Sequence, residues 1–499
     1  MSAKITSDRI EQPALKVIPF PRPSPRPLDY FLALFLLDVG FFFLALFLAC
    51  GLRTLCSELI SGLPAFSLGY TKFYLEKAWI FSPVLAALVI KRLYDRRLPF
   101  WEETREMVAA IFWGILGTYA LLSLKKISHE TSRLVVAFTG LGACFLLPLG
   151  RAWGKTVLHR FKRYSSAALI LGTDQTARLL ARALQKESYL GYRVVGFLDD
   201  NGAFYGQRLE GLKVFGPVKQ MGKFVRLTGV QSVFITSKSF SPKRLAEIYA
   251  QCQRLVKEIF LVPEFFGLGM LNAELSCLFS RRIFVLRIRN NLLLPLNRFI
   301  KRLVDLSIVV FSLPLVLPLM GGLALLIKID SPGPVFFRHR RVGEGGRPFY
   351  LWKFRTMKVE SDQLLEDLLQ KDPEAARIWH LYRKLPQDPR LTRVGRFLRK
   401  FSLDELPQIF NILKGEMALV GPRPVTEEEC RLYYRERASF YLAVKPGLTG
   451  LWQVSGRNLL SYEERVQLDT WYVLNWSLWL DLIILVRTIG TVISQRGSF

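Results

Sequence analysis

Two adjacent carboxylates, Asp404 and Glu405, open an apolar segment that we predict to be a helix from Leu406 to Met417. The positive end of a helix dipole stabilises ionised acids and binds phosphate. An ionised aspartate among arginines can attack a phosphoryl group, because guanidinium groups neutralise the charge on the transferring oxygens. The segment just before the carboxylates is strongly basic and contains Arg383, Lys384, Arg390, Arg393, Arg396, Arg399 and Lys400.

The same residues also have a purely structural interpretation as a capping box, formed by Ser402 and Glu405. A cap at Ser402 would place Pro407 where its missing N–H matters. A cap at Asp404 instead places Pro407 in the first turn, where proline is tolerated. Residue chemistry alone therefore leaves catalysis and capping open.

An ordered set of motifs lies in roughly the last 200 residues. The motifs are Lys301-Arg302 with Asp305, then residues 331–337, 353–357, 402–408, 421–424 and 445–450. Each motif alone is weakly specific, but the set in this order is highly specific, and it resembles the bacterial sugar transferases, which are monotopic polyprenyl-phosphate phosphoglycosyl transferases. The whole chain resembles the long form of the family, most closely its undecaprenyl-phosphate galactose phosphotransferases.

The resemblance implies transfer of a hexose 1-phosphate from a uridine diphosphate (UDP) sugar to undecaprenyl phosphate, with release of uridine monophosphate (UMP). Galactose is the favoured hexose, and glucose and an N-acetylated hexose are the alternatives. This reaction is the first membrane step of O-antigen, capsule or exopolysaccharide synthesis. The implied location is the cytoplasmic face of the bacterial inner membrane.

The resemblance also implies roles for individual residues. Asp404 is the nucleophile that forms a covalent aspartyl-phosphosugar, and Asp404 and Glu405 hold Mg²⁺, which needs few carboxylates when phosphate oxygens complete its shell. The implied substrate-binding side chains are Lys353, Arg399, Arg423 and Arg457. Asp469 and Asp481 are further candidates, whereas Arg338, Arg340 and Arg341 are expected to contact lipid headgroups.

The composition is that of a membrane protein, with 51% hydrophobic and 13% aromatic residues. The net charge of +28 fits an anionic membrane surface and anionic substrates. Nucleic acid is excluded as a partner, because no zinc-finger spacing, RNA-binding aromatic motif or long basic tail is present. The 6 cysteines show no paired spacing, so neither a disulfide framework nor a cysteine metal cluster is expected.

Residues 1–28 are rich in proline and are predicted to be a disordered cytoplasmic tail. Residues 29–150 are predicted to be a four-helix transmembrane region. Lys and Arg flank the first, second and fourth spans so that the tail and the segments after the second and fourth spans lie in the cytoplasm. The second span is short and contains Pro83, so a buried helix is its alternative. The predicted spans are Tyr30–Leu52, Ala78–Ile90, Val108–Leu124 and Leu134–Gly150.

Residues 165–280 show the strand, helix and strand pattern of a Rossmann-like α/β module. The loop after the first strand, Gly172-Thr173-Asp174, lacks the second glycine that lets a backbone approach a pyrophosphate. We therefore expect a structural or regulatory module without a dinucleotide cofactor. Self-association through this module predicts a homodimer.

Residues 296–499 are predicted to form a mainly α-helical, monotopic catalytic domain with a re-entrant membrane helix at 301–329. Pro314 and Pro318 would break that helix, and basic residues at both ends can reach one headgroup layer. An ordinary span is the alternative, but it would separate the catalytic domain from cytoplasmic nucleotide sugars. The charged segment 360–387 is predicted to be a surface helix, with a mobile lid as the alternative.

Two functions from other classes compete with the transferase. A glycan transport accessory protein would carry its polar residues within the spans, whereas the carboxylates and arginines here cluster in the last domain. A membrane-anchored sugar-nucleotide dehydratase would need an intact glycine loop and a Tyr-x-x-x-Lys pair, which the α/β module lacks.

Overall fold

The computed structural model describes residues 27–60, 62–126, 130–161, 164–264, 270–278, 283–359, 390–456 and 460–494, with a few positions between 361 and 377. Residues 1–26 of the predicted tail, Arg457 and nearly all of segment 360–387 lie outside the described residues, and the last two positions of the tail, Pro27 and Leu28, belong to the first helix. The chain divides into two compact units, Met1–Glu264 and Phe265–Phe499.

The first unit begins with five helices, of which three are long and apolar enough to cross a membrane. The predicted second span, Ala78–Ile90, is helical, with a first turn of 3₁₀ helix at Ala78–Phe81. With the preceding helix Tyr70–Glu76 it forms a pair bent by 68°, which has the length and composition of a broken span or a re-entrant loop. Glycines let the longest helices pack closely. A Cβ added at Gly150 would lie 2.3 Å from the ring of Phe41 on another helix, so a larger residue would push the two helices apart. The helices are α1 (Pro27–Leu59), α2 (Tyr70–Glu76), α3 (Ser82–Ile90), α4 (Phe100–Leu124) and α5 (Arg133–Leu158).

A buried ionic cluster joins α1, α4 and α5. Arg151 donates to Asp38 at 2.9 Å and to Glu103 at 2.7 Å, and Lys155 donates to Glu103 at 2.6 Å. All four side chains are buried. Two cations and two anions therefore neutralise each other in a place where an unpaired charge would be strongly unfavourable.

The α/β module docks on this cluster. The Tyr189 hydroxyl donates to Glu103, and the Arg97 guanidinium donates to the Leu190 carbonyl at 3.1 Å and the Gly191 carbonyl at 3.2 Å. The α/β module and the preceding apolar helices therefore belong to one compact unit.

The module is built on a parallel sheet whose strands lie in the order Tyr192–Leu198, Ser166–Leu171, Ser232–Thr236 and Glu258–Val262. The loop that follows Ser166–Leu171 lacks the dinucleotide fingerprint and is held by its own side chains. Asp174 caps the next helix by accepting the Ala177 N–H at 2.7 Å, and Thr173 donates to Asp199 at 2.6 Å. The elements are β1 (Ser166–Leu171), α6 (Gln175–Lys186), β2 (Tyr192–Leu198), β3 (Arg208–Leu209), β4 (Leu212–Lys213), α7 (Met221–Thr228), β5 (Ser232–Thr236), α8 (Pro242–Gln253) and β6 (Glu258–Val262).

The second unit starts with a hairpin of β7 (Ala273–Leu278) and β8 (Ile283–Ile288), followed by a long helix and a second hairpin. One hydrophobic core holds the long helix, the second hairpin and the C-terminal helices together. The remaining elements are α9 (Pro295–Asp330), β9 (Phe336–Val342), β10 (Pro348–Phe354), α10 (Arg393–Lys400), α11 (Ile409–Lys414), β11 (Ala418–Val420), α12 (Glu427–Glu429), α13 (Ala438–Leu442), β12 (Gly447–Thr449), α14 (Leu451–Ser455), α15 (Tyr462–Leu474) and α16 (Leu478–Ser494).

Pro314 and Pro318, where the sequence predicts a break, both lie within α9, and the backbone stays helical on either side of each. Near its start, Arg302 donates to the Ile412 carbonyl of α11 at 2.6 Å. At its end, Asp330 accepts the Val394 N–H of α10 at 2.9 Å. Both ends of α9 are thus fixed to neighbouring elements of one unit, while the side chains around the prolines are exposed.

Candidate active site

The two carboxylates lie on a 3₁₀ turn, Leu403–Gln408, that leads into α11. The predicted α-helix over 406–417 is therefore wrong in its extent, since α11 ends at Lys414, before Gly415 at a φ of +83°. Ser402 enters the turn with a φ of 56° and its side chain makes no cap hydrogen bond, so the capping box does not form. A non-glycine residue in this left-handed region costs about 1 kcal/mol or more.

Lys353 on β10 faces both carboxylates. Its Nζ lies 2.7 Å from Glu405 Oε1 and 3.6 Å from Asp404 Oδ2. Asn411 fixes β10 against α11, because its amide accepts the Trp352 N–H at 3.1 Å and donates to the Tyr350 carbonyl at 2.8 Å. These two hydrogen bonds fix the strand that carries Lys353 at a set distance from the carboxylate turn.

Asp404 is only 8% exposed, and this burial is the largest influence on the pKa of its carboxyl group. Desolvation raises the pKa of Asp404 above its ordinary value. The charge on Lys353 lowers this pKa, Glu405 raises it, and Arg399 and Arg423 lower it. The neighbouring cations therefore offset much of the penalty for holding an ionised carboxylate in a buried place.

Two further predicted residues come near Asp404 from different directions. Arg399, at the end of α10, donates to the Thr356 hydroxyl at 3.1 Å. Arg423 follows β11, and its guanidinium lies 5.3 Å from the centre of the Trp452 ring. Both are close enough for their charges to act on Asp404.

The motifs at 421–424 and 445–450 meet because glycines permit close backbone contact. Strands β11 and β12 pair in parallel, with Ala418 opposite Gly447. A Cβ on Gly447 would lie 2.1 Å from the Gly421 nitrogen, which no other residue could accommodate. The pairing joins the two motifs, and Arg423 from one and Gly447 and Leu448 from the other line the same cavity as Glu405.

These elements surround a small cavity beside Asp404. The structure brings together Lys353, Glu405 and Arg423, as the sequence predicts for a common site. It also adds Arg341, Gln408 and Gln453, which sequence reasoning missed as site residues. The lining residues are Arg341, Leu351, Lys353, Glu405, Gln408, Arg423, Pro424, Gly447, Leu448 and Gln453.

The other candidates lie apart from this cavity. Asp481 accepts from Lys301 at 2.7 Å and Tyr472 at 2.7 Å, which fixes α16 to α9. Asp469 accepts from the Tyr434 hydroxyl at 2.7 Å, and burial raises its pKa to about 6. Both carboxylates therefore anchor the fold rather than line the cavity.

Comparison with known proteins places these residues in a family. The family described as "Bacterial sugar transferase" matches residues 296–495, and the one described as "CoA-binding domain" matches residues 96–285. The chain is 36% identical over 471 residues to the "UDP-galactose-lipid carrier transferase" of Erwinia amylovora, covering 94% of this chain and 97% of that relative. It is 38% identical over 408 residues to the "Undecaprenyl-phosphate galactose phosphotransferase" of Salmonella typhimurium, covering 82% and 84%.

A shorter relative corresponds to less than half of the chain. The "Exopolysaccharide production protein ExoY" of Rhizobium meliloti is 49% identical over 205 residues, which cover 41% of this chain and 90% of that relative.

The site and these relatives define a transferase that acts on phosphorylated sugars. The chain belongs to the bacterial sugar transferase family, in its long form with an additional α/β domain. It is a phosphoglycosyl transferase enzyme.

Proposed function

We propose that this protein transfers a hexose 1-phosphate from a UDP-sugar to undecaprenyl phosphate and releases UMP. Galactose is the proposed hexose, because the two long relatives described above are named for galactose. A relative from Xanthomonas campestris named for glucose, 30% identical over 408 residues, makes glucose the alternative. The observation that carries the proposal is the contact of Lys353 with both Asp404 and Glu405, beside a cavity that Lys353, Glu405 and Arg423 line.

In the first step, a carboxylate oxygen of Asp404 attacks the phosphorus that bears the sugar. The bond between this phosphorus and the oxygen bridging to UMP breaks, and UMP leaves with the electron pair. The product on the enzyme is an acyl phosphate, the aspartyl-phosphosugar. Lys353, Arg399 and Arg423 supply positive charge for the equatorial oxygens as charge spreads over them.

In the second step, an oxygen of undecaprenyl phosphate attacks the same phosphorus. The acyl–phosphate bond breaks, and the Asp404 carboxylate is restored together with a lipid-linked sugar diphosphate. Both substrates are anions, which fits a strongly basic chain at a membrane surface.

The carboxylate pair also fits a magnesium ion. The Lys353 ammonium lies within 3.6 Å of both carboxylates, in the kind of place that a cation occupies between two acids. Asp404 and Glu405 would hold Mg²⁺, since this ion binds one or two carboxylates and completes its shell with water and phosphate oxygens. When bound, Mg²⁺ supplies charge neutralisation for the diphosphate.

The proposed location is the cytoplasmic face of the inner membrane, with α9 re-entrant. Support comes from the ends of α9, since Arg302 and Asp330 are bound to the adjacent helices α11 and α10. Between them, Phe311 is 85% exposed and Leu315 is 78% exposed, as expected for apolar residues that face lipid. The first unit is proposed to be a multi-pass anchor whose α/β module is structural or regulatory and mediates a homodimer.

The reaction is tested by mixing purified protein in undecaprenyl phosphate-containing vesicles with a panel of UDP-galactose, UDP-glucose and UDP-N-acetylhexoses. We expect UMP release that requires the lipid phosphate and is fastest with UDP-galactose. Lack of lipid-dependent UMP release with every donor would refute the proposal.

A further inference from the structure

Strand alternation in the hairpin separates Arg341 from its basic neighbours. Arg341 pairs with Phe349 and Phe337 pairs with Lys353, so Arg341 and Lys353 lie on the same face. Arg338 and Arg340 lie on the other face and are exposed. The expectation that these three arginines share contacts with lipid headgroups therefore does not fit the geometry of Arg341.

Arg341 is held with part of its hydrogen-bonding capacity unused. Its Nη1 donates to Glu429 Oε2 at 2.9 Å, and Glu429 is fixed in turn by a capping box with Thr426. Its Nε is buried and has no hydrogen-bond partner among the described residues. A buried donor without an acceptor is costly, so a group that supplies an acceptor here is bound favourably.

The cavity that Arg341 lines is suited to phosphate. It also contains the cations of Lys353 and Arg423 and the carboxylate of Glu405. The planar guanidinium of an arginine matches phosphate oxygens better than a lysine ammonium does, because two N–H groups can bind in parallel. Because Arg341 lines this cavity, an anionic oxygen bound there would find its guanidinium together with the charges of Lys353 and Arg423.

We propose that Arg341 binds a phosphate oxygen of a substrate in the active site, and is thus a substrate-binding residue beyond those that the motifs imply. The inference rests on the proposed function, since the phosphate belongs to one of its two substrates. The donor diphosphate is the expected source, because the cavity adjoins Asp404, where the donor phosphorus must sit. The lipid phosphate is the other possible source, and the experiment separates them.

The test compares Arg341→Gln and Arg341→Lys with Arg340→Gln, which removes the same charge from the opposite face of the strand. Kinetics are measured at varied UDP-sugar and at varied undecaprenyl phosphate, and UDP binding is measured by calorimetry. For Arg341→Gln we expect the KM for the donor and the Kd for UDP to rise about tenfold to a hundredfold. Arg341→Lys keeps the positive charge but loses the paired N–H groups of the guanidinium. The rise in the donor KM and in the Kd for UDP should therefore be smaller than for Arg341→Gln. Arg340→Gln should leave both values unchanged.

A rise confined to the KM for the lipid would assign the same contact to the lipid phosphate. Unchanged KM values for both substrates in both Arg341 variants, with normal melting temperatures, would overturn the inference. If Arg341→Gln does not fold, Arg341→Lys alone tests the inference. Its ammonium can still pair with Glu429, so the fold should be kept. A wild-type protein without transferase activity would refute the proposed function, whereas UDP binding would still test Arg341.

Discussion

Lys353 places one positive charge beside two carboxylates, Asp404 and Glu405. It stands closest to Glu405, at 2.7 Å, yet its charge is the largest effect that keeps buried Asp404 ionisable. A carboxylate must be ionised to act as a nucleophile. The reactivity of Asp404 therefore depends on a strand that is remote in sequence, and the residue-scale predictions start from this pair.

Replacing Asp404 with Asn should lower turnover by at least about a thousandfold, because the amide cannot form the acyl phosphate. Intact-mass measurement after addition of donor alone should show a hexose phosphate adduct on the wild type and none on Asp404→Asn. The matched control is Asp481→Asn in the same unit, which should still form the adduct if it folds. A near-normal rate in Asp404→Asn would exclude this residue as the nucleophile.

The pH dependence should report the raised pKa of Asp404. Activity requires the carboxylate, so kcat/KM should fall as the pH drops through a value above the ordinary aspartate pKa of about 3.9. Lys353→Met removes the main effect that lowers this pKa, and the acid limb should then move to higher pH. An acid limb at the same pH in both proteins would show that Lys353 does not control the ionisation.

Chelation of divalent metal should stop the reaction, and added Mg²⁺ should restore it. Glu405→Gln should raise the half-saturating Mg²⁺ concentration by roughly tenfold or more, because the neutral amide is a weaker ligand. Glu416→Gln, which lies outside the cavity lining, serves as the control. Full activity in excess chelator would contradict the role of Mg²⁺.

The residues of the site are only partly predictable from the sequence. The motifs identify Lys353, Asp404 and Arg423, because each has a distinctive local pattern. Arg341 is missed because its orientation depends on the register of β9 with β10, which is set by the turn between them. The left-handed Ser402 is also missed, since serine is not a residue that normally signals this conformation.

At the scale of elements, α9 shows how tertiary anchoring modifies a local prediction. Two prolines predict a break, yet the helical assignment continues through both. Prolines are tolerated inside membrane helices when the freed carbonyls find other partners. The sequence locates the segment and its polar ends, whereas the contacts of Arg302 and Asp330 require the folded unit.

Cysteine labelling tests the re-entrant path of α9. Single cysteines at Ile300 and Arg340, on either side of the apolar segment, should react with a membrane-impermeant reagent from the same, cytoplasmic side. The reason is that both ends of α9 are bound to helices of one unit. Labelling from opposite sides of the membrane would show an ordinary span and would overturn the topology.

At the scale of the whole molecule, the division after Glu264 predicts a separable catalytic unit. A truncated protein of residues 285–499 should turn over donor and lipid phosphate, because every motif of the family lies beyond residue 300. The same truncation with Asp404→Asn is the control. A folded, membrane-bound and wholly inactive truncation would show that the first unit contributes to catalysis.

The organisation of the first unit is the part least accessible to sequence reasoning. Alternation and loop patterns predict the parallel sheet of the module and most of the apolar helices. The partners of the ionic cluster are far apart in sequence, and Asp38 and Arg151 are separated by 113 positions. Pairing over such distances is decided by packing and is not visible in any local window.

The ionic cluster has a consequence for biogenesis. Helix α5 follows α1 and α4 along the chain, so Asp38 and Glu103 are synthesised before their cationic partners, Arg151 and Lys155. Tyr189 and the docking segment of the module follow later still. An isolated buried charge left by a missing partner costs roughly 3–5 kcal/mol, enough to keep the helices loosely assembled. We therefore expect α1 and α4 to pack fully only once α5 brings Arg151 and Lys155 to them.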